Sequence, residues 1–422
     1  MRIAFTTLGC KINQYETDLL RQDFASRGNT VVPFNEPADV YIINTCSVTA
    51  KSDTQCRQVI RAATRRGQGA KVIVTGCYAE TRPDEIKSMP GVDAVFGNSE
   101  KSKITQYVAS RSNEMPEHAR AFVSARAIKS RTRGFLKIQD GCNNFCSYCI
   151  VPFARGRSRS VEPKLLIPEF EQLVKSACPE IVLTGIHIGT YGVDLSERTS
   201  LTDLLASLTG MRGHSRIRLS SIEPREITDG IVRLIGQGLC RHLHIPLQSG
   251  DDRILQSMKR NYTVGFYREL VEDIASAVPR VALGADVMVG YPGEGEKAFN
   301  NTVRFIESVP LTHLHVFSYS PRPGTAASEM IGHLPDAVKK ERSEVLRRIG
   351  QEKNFVFRQK HHGAELNVVV EDKVDVKTGL LSGLSDNYIR VHIVGAEKKH
   401  IGAKINVRVL DVKKDGVVAG IS

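Results

Sequence analysis

The chain has 422 residues, too many for one average domain and enough for two or three with cores of their own. Lys plus Arg exceed Asp plus Glu by 58 to 46, a net charge of +12 that favours a polyanionic partner such as RNA, DNA or an anionic surface. No run approaches the roughly 18 apolar residues that span a bilayer, so no membrane is expected. Near the start, "TTLGC" has the look of a lipoprotein cleavage site. The apolar stretch before it, "IAFTTLG", is too short for a signal core of about 7–15 residues plus a cleavage site, and the expected location is the cytoplasm. Nine cysteines in a reducing compartment suit metal ligation plus a few buried thiols better than disulfides.

Over residues 1–110, short β-branched runs alternate with helical patterns: "RIAFTTLG", "YETDLLRQDFASRG", "DVYIINT", "TQCRQVIRAATRRG", "KVIVTG" and "VDAVFG". Continuous apolar strands separated by helices predict a doubly wound parallel sheet covered on both faces. Cys10, Cys46 and Cys77 each follow one of these strands. In a parallel sheet such turns share the carboxyl edge, where ligands bind, so three thiols distant in sequence can meet there. Three thiolates fit a 4Fe-4S cubane with one free iron; zinc would lack an obvious fourth ligand, and buried unligated thiols are the third alternative.

Residues 111–134, "RSNEMPEHARAFVSARAIKSRTRG", lose the periodicity and read as a basic linker, chiefly a solvated connector. Residues 135–360 resume the alternation. Strands are expected in "GFLKIQDG", "EIVLTG", "RIRLSSIE", "HLHIPLQ", "ALGADVMVGY" and "LHVFSYS", followed by the charged helix "DAVKKERSEVLRRIGQEKNFVFRQK". Six such units predict an α/β architecture of the (βα)6 type, a partial barrel with its chemistry at the carboxyl ends of the strands. Residues 361–422 change to alternating strands with Gly and Asp turns, as in a small all-β barrel of the kind that binds oligonucleotides.

Within "DGCNNFCSYCIVP", Cys142, Cys146 and Cys149 are spaced C-x3-C-x2-C directly after the first strand of the partial barrel. Three thiolates on one loop can hold three irons of a 4Fe-4S cluster and leave the fourth open to a small chelating molecule. Structural zinc would want a fourth ligand, and no His or Cys follows within the loop; inert thiols are the remaining alternative. Cys56, inside a helical pattern, and Cys178 and Cys240, before strands, are expected to be core residues.

This motif, with Tyr148 before its last cysteine and a βα barrel after it, resembles the radical S-adenosylmethionine superfamily. The resemblance implies that the cofactor's methionine amine and carboxylate chelate the open iron and that an electron from the cluster then yields a 5′-deoxyadenosyl radical. It also implies cofactor contacts from later strand ends: Thr184 and Gly185, Ser220 and Glu223, Gln248 and Ser249, and Asp286 to Gly290. Two cysteine triads in this domain order, with a TRAM-like barrel at the end, resemble the methylthiotransferase family over essentially the whole chain. Membership would give Cys10, Cys46 and Cys77 an auxiliary 4Fe-4S cluster and Cys142, Cys146 and Cys149 the radical-generating one.

One branch of that family acts on isopentenyladenosine in tRNA, another on threonylcarbamoyladenosine in tRNA and a third on an aspartate of a ribosomal protein. "LGCKINQYETD" looks like the threonylcarbamoyl branch, whereas the others read nearer "GCQMN" and "LGCPKN". The implied reaction uses one S-adenosylmethionine as methyl donor and another as radical source, and places a methylthio group on carbon 2 of the adenine next to the anticodon. An electron donor and a sulfur source are implied partners. For the tRNA anticodon loop, the candidate contacts are Arg155, Arg157 and Arg159 beyond the cluster loop, and Arg390, Lys398, Lys399, Lys404 and Arg408 in the terminal barrel. The rival from another class is an iron-sulfur RNA-binding or electron-transfer protein without catalysis.

Overall fold

A computed structural model of the chain describes residues 1–67, 69–110, 128–129 and 132–422. The first sheet is built from β1 (Arg2–Thr7), β2 (Thr30–Val32), β3 (Val40–Thr45), β4 (Lys71–Gly76) and β5 (Ala94–Phe96). All pairings are parallel and the order is β2-β1-β3-β4-β5, a doubly wound arrangement whose direction reverses between β1 and β3. Successive side chains of a strand point to opposite faces, so β3 is buried at every position. Its Tyr41 and Ile43 join one core with Cys56 and Ile60 of α2 (Ala50–Arg66). Its Val40 and Ile42 join the other with Leu20 and Phe24 of α1 (Lys11–Ser26). A reciprocal capping box between Thr49 and Ser52 starts α2, and Arg65 and Arg66 complement the negative end of its dipole.

The six strands expected in the central region are present: β6 (Gly134–Lys137), β7 (Glu180–Thr184), β8 (Arg216–Leu219), β9 (His242–His244), β10 (Ala282–Val289) and β11 (His313–Ser318). They pair in parallel as β8-β7-β6 and β9-β10-β11, and a two-residue strand, Ile128–Lys129, adds an antiparallel edge to β6. The two groups meet where the Cys240 N–H donates to the Ile217 carbonyl and the Ile222 N–H to the His244 carbonyl, which makes one open arc. Alternation divides the arc's faces by polarity. Ile181, Leu183, Ile217, Leu219, Leu243, Leu283, Ala285 and Val287 enter the large core under the helices. Glu180, Thr184, Arg216, Arg218, His242 and His244 occupy the intervening positions, also buried.

After the long helix Asp336–Gln359 comes a closed five-stranded barrel, in which the first, second, third, fifth and fourth strands are neighbours in that order. The barrel strands are β12 (Glu365–Val374), β13 (Leu381–Ser385), β14 (Arg390–Val394), β15 (Lys404–Lys413) and β16 (Gly416–Ile421). Its core is Leu366, Val368, Val391, Ile393, Val407, Val417 and their neighbours. It docks on the arc through arginines of β8: Arg216 donates to the carbonyls of Asn367 and Leu384, and Arg218 to those of Ser385 and Asp386. Most of the basic stretch expected to act as a linker lies outside the described residues. Among the described residues no helix is long and apolar enough to cross a membrane.

Candidate active site

Cys10, Cys46 and Cys77 follow β1, β3 and β4, three strands adjacent in the sheet order. Register brings the ends level: Thr7 pairs with Asn44, and Thr45 with Gly76. Two glycines make the close approach feasible. Gly9 (φ +103°) would carry a Cβ 2.8 Å from Cys46 Sγ, and Gly76 (φ +102°) one 2.4 Å from the carbonyl oxygen of Thr45, so a side chain at either position collides with the neighbouring strand end. The three cysteines line one cavity of about 360 Å³. Burial pushes the Cys10 and Cys46 thiols up, with the nearby sulfurs adding to it. A bound cation reverses that balance and favours the thiolates.

Beneath this trio lies a buried ionic network connecting the first sheet to the second. Arg155 contacts Glu16 at 2.8 Å, Asp140 at 3.2 Å and the Asn13 side-chain oxygen at 2.6 Å. Lys137 reaches Glu16 at 3.4 Å and Asp140 at 3.2 Å, and Lys101 pairs with Glu16. All five ionic groups are at most 6% exposed. Three cations against two carboxylates leave an excess of positive charge, and Arg155 lies close enough to Cys10 to favour its thiolate. Asn98 donates to Cys77 Sγ at 3.7 Å and to the Ala154 carbonyl at 2.6 Å. At the far end of the arc, Arg322 donates to Ser47, next to Cys46, and pairs with Asp53. Three thiols on one cavity, with N–H donors and surplus positive charge behind them, suit an anionic metal-sulfur group.

The second trio is assembled locally. The loop after β6 carries Cys142, Cys146 and Cys149, all partly exposed. Cys142 Sγ accepts the Asn144 backbone N–H at 3.4 Å and lies 3.5 Å from His187 Nδ1. Arg260 donates to Cys146 Sγ at 3.4 Å. Desolvation, with the other two sulfurs of the loop adding to it, pushes Cys149 to about 12. The His187 ring, itself desolvated, is nevertheless raised to about 10 by Cys142 and Glu226. Val151, two residues past Cys149, and Ile186, next to His187, line the cavity of the first trio, so the loop of the second trio borders that cavity.

Of the strand-end residues expected to hold a cofactor, Thr184, Gly185, Ser220 and Asp286 line this cavity, and the Ser220 hydroxyl is buried without a hydrogen-bond partner among the described residues. Glu223 is turned to Arg260, and burial raises its carboxyl. Gln248 adopts φ +64°, and its buried side-chain oxygen has no hydrogen-bond partner among the described residues. The Ser249 hydroxyl faces Thr302 and the Asp251 amide, and Gly290 packs against Lys339, so neither lines the cavity. Tyr148 packs beside Met258, Met288 and Tyr291. Among the basic candidates, Arg155 is committed to the ionic network, whereas Arg157 lies exposed over the Phe145 ring and Arg159 is exposed too. In the terminal barrel Arg390 pairs with Glu371, Lys404 donates to the His214 carbonyl, and Lys398, Lys399 and Arg408 are exposed. Cys56, Cys178 and Cys240 are fully buried core residues, as expected.

A histidine-rich wall escaped the sequence reading. His244 Nε2 lies 2.9 Å and His315 Nδ1 3.5 Å from the same Asp286 oxygen. Tyr388 of the terminal barrel stacks on His242 with centroids 4.1 Å apart, and all four residues line the cavity together with His242. The readable signal was "HLH" occurring twice, in β9 and β11, since residues two apart on a strand share a face.

Comparisons with known proteins fit this arrangement. Residues 2–97 match the profile described as uncharacterized protein family UPF0004, and residues 136–306 that of the radical SAM superfamily. The chain is 40% identical to threonylcarbamoyladenosine tRNA methylthiotransferase MtaB of Bacillus subtilis over 97% of this chain and 93% of that one. It is 37% identical to the protein of the same name from Aquifex aeolicus over 96% and 100%. Against tRNA-2-methylthio-N(6)-dimethylallyladenosine synthase of Fusobacterium nucleatum the figures are 33% over 90% and 91%. In fold the chain is similar to the radical S-adenosylmethionine methyltransferase TsrM of Kitasatospora setae, with a TM-score of 0.57 at 14% identity, covering 78% of this chain and 74% of that one.

Proposed function

We propose that this chain, a radical S-adenosylmethionine enzyme that belongs to the methylthiotransferase family, attaches a methylthio group to carbon 2 of N6-threonylcarbamoyladenosine beside the anticodon of tRNA, in the cytoplasm. The carrying observation is that one cavity is walled by Cys10, Cys46 and Cys77 on one side and by the β-strand ends of the radical SAM arc on the other, with the Cys142–Cys149 loop at its border. Relatives named for threonylcarbamoyladenosine are, at 40% and 37%, more similar to the chain than the Fusobacterium dimethylallyladenosine relative at 33%.

On this reading Cys142, Cys146 and Cys149 hold the radical-generating 4Fe-4S cluster, and Cys10, Cys46 and Cys77 an auxiliary one. With S-adenosylmethionine, the bound clusters supply one-electron chemistry and a transferable sulfur, which an adenine C–H requires because it is a poor acid and a poor electrophile. The protein's own part is positional. Arg260 and the Asn144 amide direct N–H groups at the loop sulfurs, and Asn98 directs one at Cys77, which tunes and orients metal-sulfur ligands. Thr184, Gly185, Ser220 and Asp286 line the same cavity as Cys10, Cys46 and Cys77, which supports reading them as cofactor contacts. Arg157, Arg159, Lys398, Lys399 and Arg408 offer exposed cations to RNA phosphates. A reductant and a sulfur source complete the reaction. The test is mass spectrometry of tRNA nucleosides from cells lacking the protein. Loss of methylthio-threonylcarbamoyladenosine is expected, whereas an unchanged nucleoside profile, or loss of the isopentenyl derivative alone, contradicts the proposal.

A further inference from the structure

We infer that Lys11 recognises the carboxylate of the threonylcarbamoyl substituent and so sets the cavity's preference for an anionic group on N6; this rests on the substrate reading above. Lys11 immediately follows Cys10, lines the cavity, and has no acidic partner among the described residues. It occupies the first position of α1, whose opening turn carries no acidic residue. The nearest carboxylate in charge terms is Glu180, and that group is already shared among Arg133, Arg216 and Arg218. The cavity's other carboxylate, Asp286, is held by His244 and His315, so among the described residues no uncommitted carboxylate meets the ammonium.

Substrate geometry supplies the missing anion. Carbon 2 and the N6 nitrogen of adenine flank N1 on one edge of the ring. If carbon 2 is presented to sulfur delivered from the side of Cys10, Cys46 and Cys77, the N6 substituent enters beside the same cysteines, within the reach of a lysine at position 11. A threonylcarbamoyl group ends in a carboxylate that pairs with Lys11. An isopentenyl group offers only hydrocarbon, and packing it there would strip water from an unpaired charge, which penalises the wrong substrate as well as favouring the right one.

The test uses the full chain reconstituted with iron and sulfide, and anticodon stem-loop RNAs that carry threonylcarbamoyladenosine, its primary amide in place of the carboxylate, or isopentenyladenosine. The wild type is expected to favour acid over amide by about 10- to 100-fold in KM, the range of a charge-assisted hydrogen bond. K11Q is expected to abolish that ratio with little change in kcat, and K11R to restore most of it. Comparing acid with amide within one protein cancels differences in cluster loading. A K11Q variant that keeps the wild-type ratio overturns the inference, and so does equal weakening towards both RNAs, which would mark Lys11 as a phosphate contact. A wild type that accepts only the isopentenyl RNA, or neither substrate, refutes the substrate reading itself.

Discussion

The two cysteine trios are gathered by opposite routes. Cys142, Cys146 and Cys149 are brought together by one loop eight residues from end to end, and their neighbours in space include the Asn144 amide of that loop. Cys10, Cys46 and Cys77 are separated by more than thirty residues each and meet only because β1, β3 and β4 are adjacent and level at their carboxyl ends. A local trio depends on its loop. A dispersed trio depends on strand register, on two glycines with positive φ and on whatever clamps the sheet to its neighbour.

That contrast can be broken in steps. Replacing Cys142, Cys146 and Cys149 by Ala should reduce deoxyadenosine release from S-adenosylmethionine to background, as read by chromatography after anaerobic reduction. Next in size, Glu16→Gln would leave Arg155, Lys137 and Lys101 buried with one carboxylate between them. Unfolding by denaturant should show a loss of about 3–5 kcal/mol at neutral pH. The cations around Glu16 outweigh its desolvation and hold its carboxyl well below the ordinary 4.5. A depressed folded-state value means that this stability is fully present above the unfolded value and is lost as pH falls through the folded one. The deficit of the variant should therefore stay constant from pH 7 down to about 5 and shrink only in strong acid.

Gly76→Ala places a methyl against the Thr45 carbonyl in a left-handed backbone, at a cost of about 1–3 kcal/mol. It should lower iron bound at the dispersed trio while leaving deoxyadenosine formation intact, a split that iron analysis and chromatography on one sample would reveal. The smallest effect is expected from removing the exposed charges Lys398, Lys399 and Arg408 together. Affinity for tRNA should fall modestly, and the slope of log affinity against log salt should flatten by about 2, as measured by filter binding across a salt series.

Much of the architecture was legible from local pattern. The apolar strands of the first sheet, the six strands of the arc and the terminal barrel each announce themselves within a few residues, and the loop trio is a spacing motif. The dispersed trio was legible one step later, because strand-then-cysteine recurs three times and a parallel sheet puts such turns on one edge. What escaped depends on pairs far apart in the chain. Arg155 looked like a free cation beside the cluster loop, yet it is committed to Glu16 and Asn13, more than a hundred residues earlier. The polar face of the arc hid behind isolated Arg, Glu and His residues, because the pairing of Glu180 with Arg216 and Arg218 needs two strands in register. Lys11 enters the sequence only as part of the "LGCKINQYETD" likeness; that it lines the cavity of the first trio is visible only in the fold.

Whether two separate trios hold two clusters serving one cavity is read out by iron and sulfide analysis of the anaerobically reconstituted full chain. The wild type should bind about eight irons, and a variant with Cys10, Cys46 and Cys77 all replaced by Ala should bind about four while still releasing deoxyadenosine. Full iron content in that variant would mean that the dispersed trio holds no cluster.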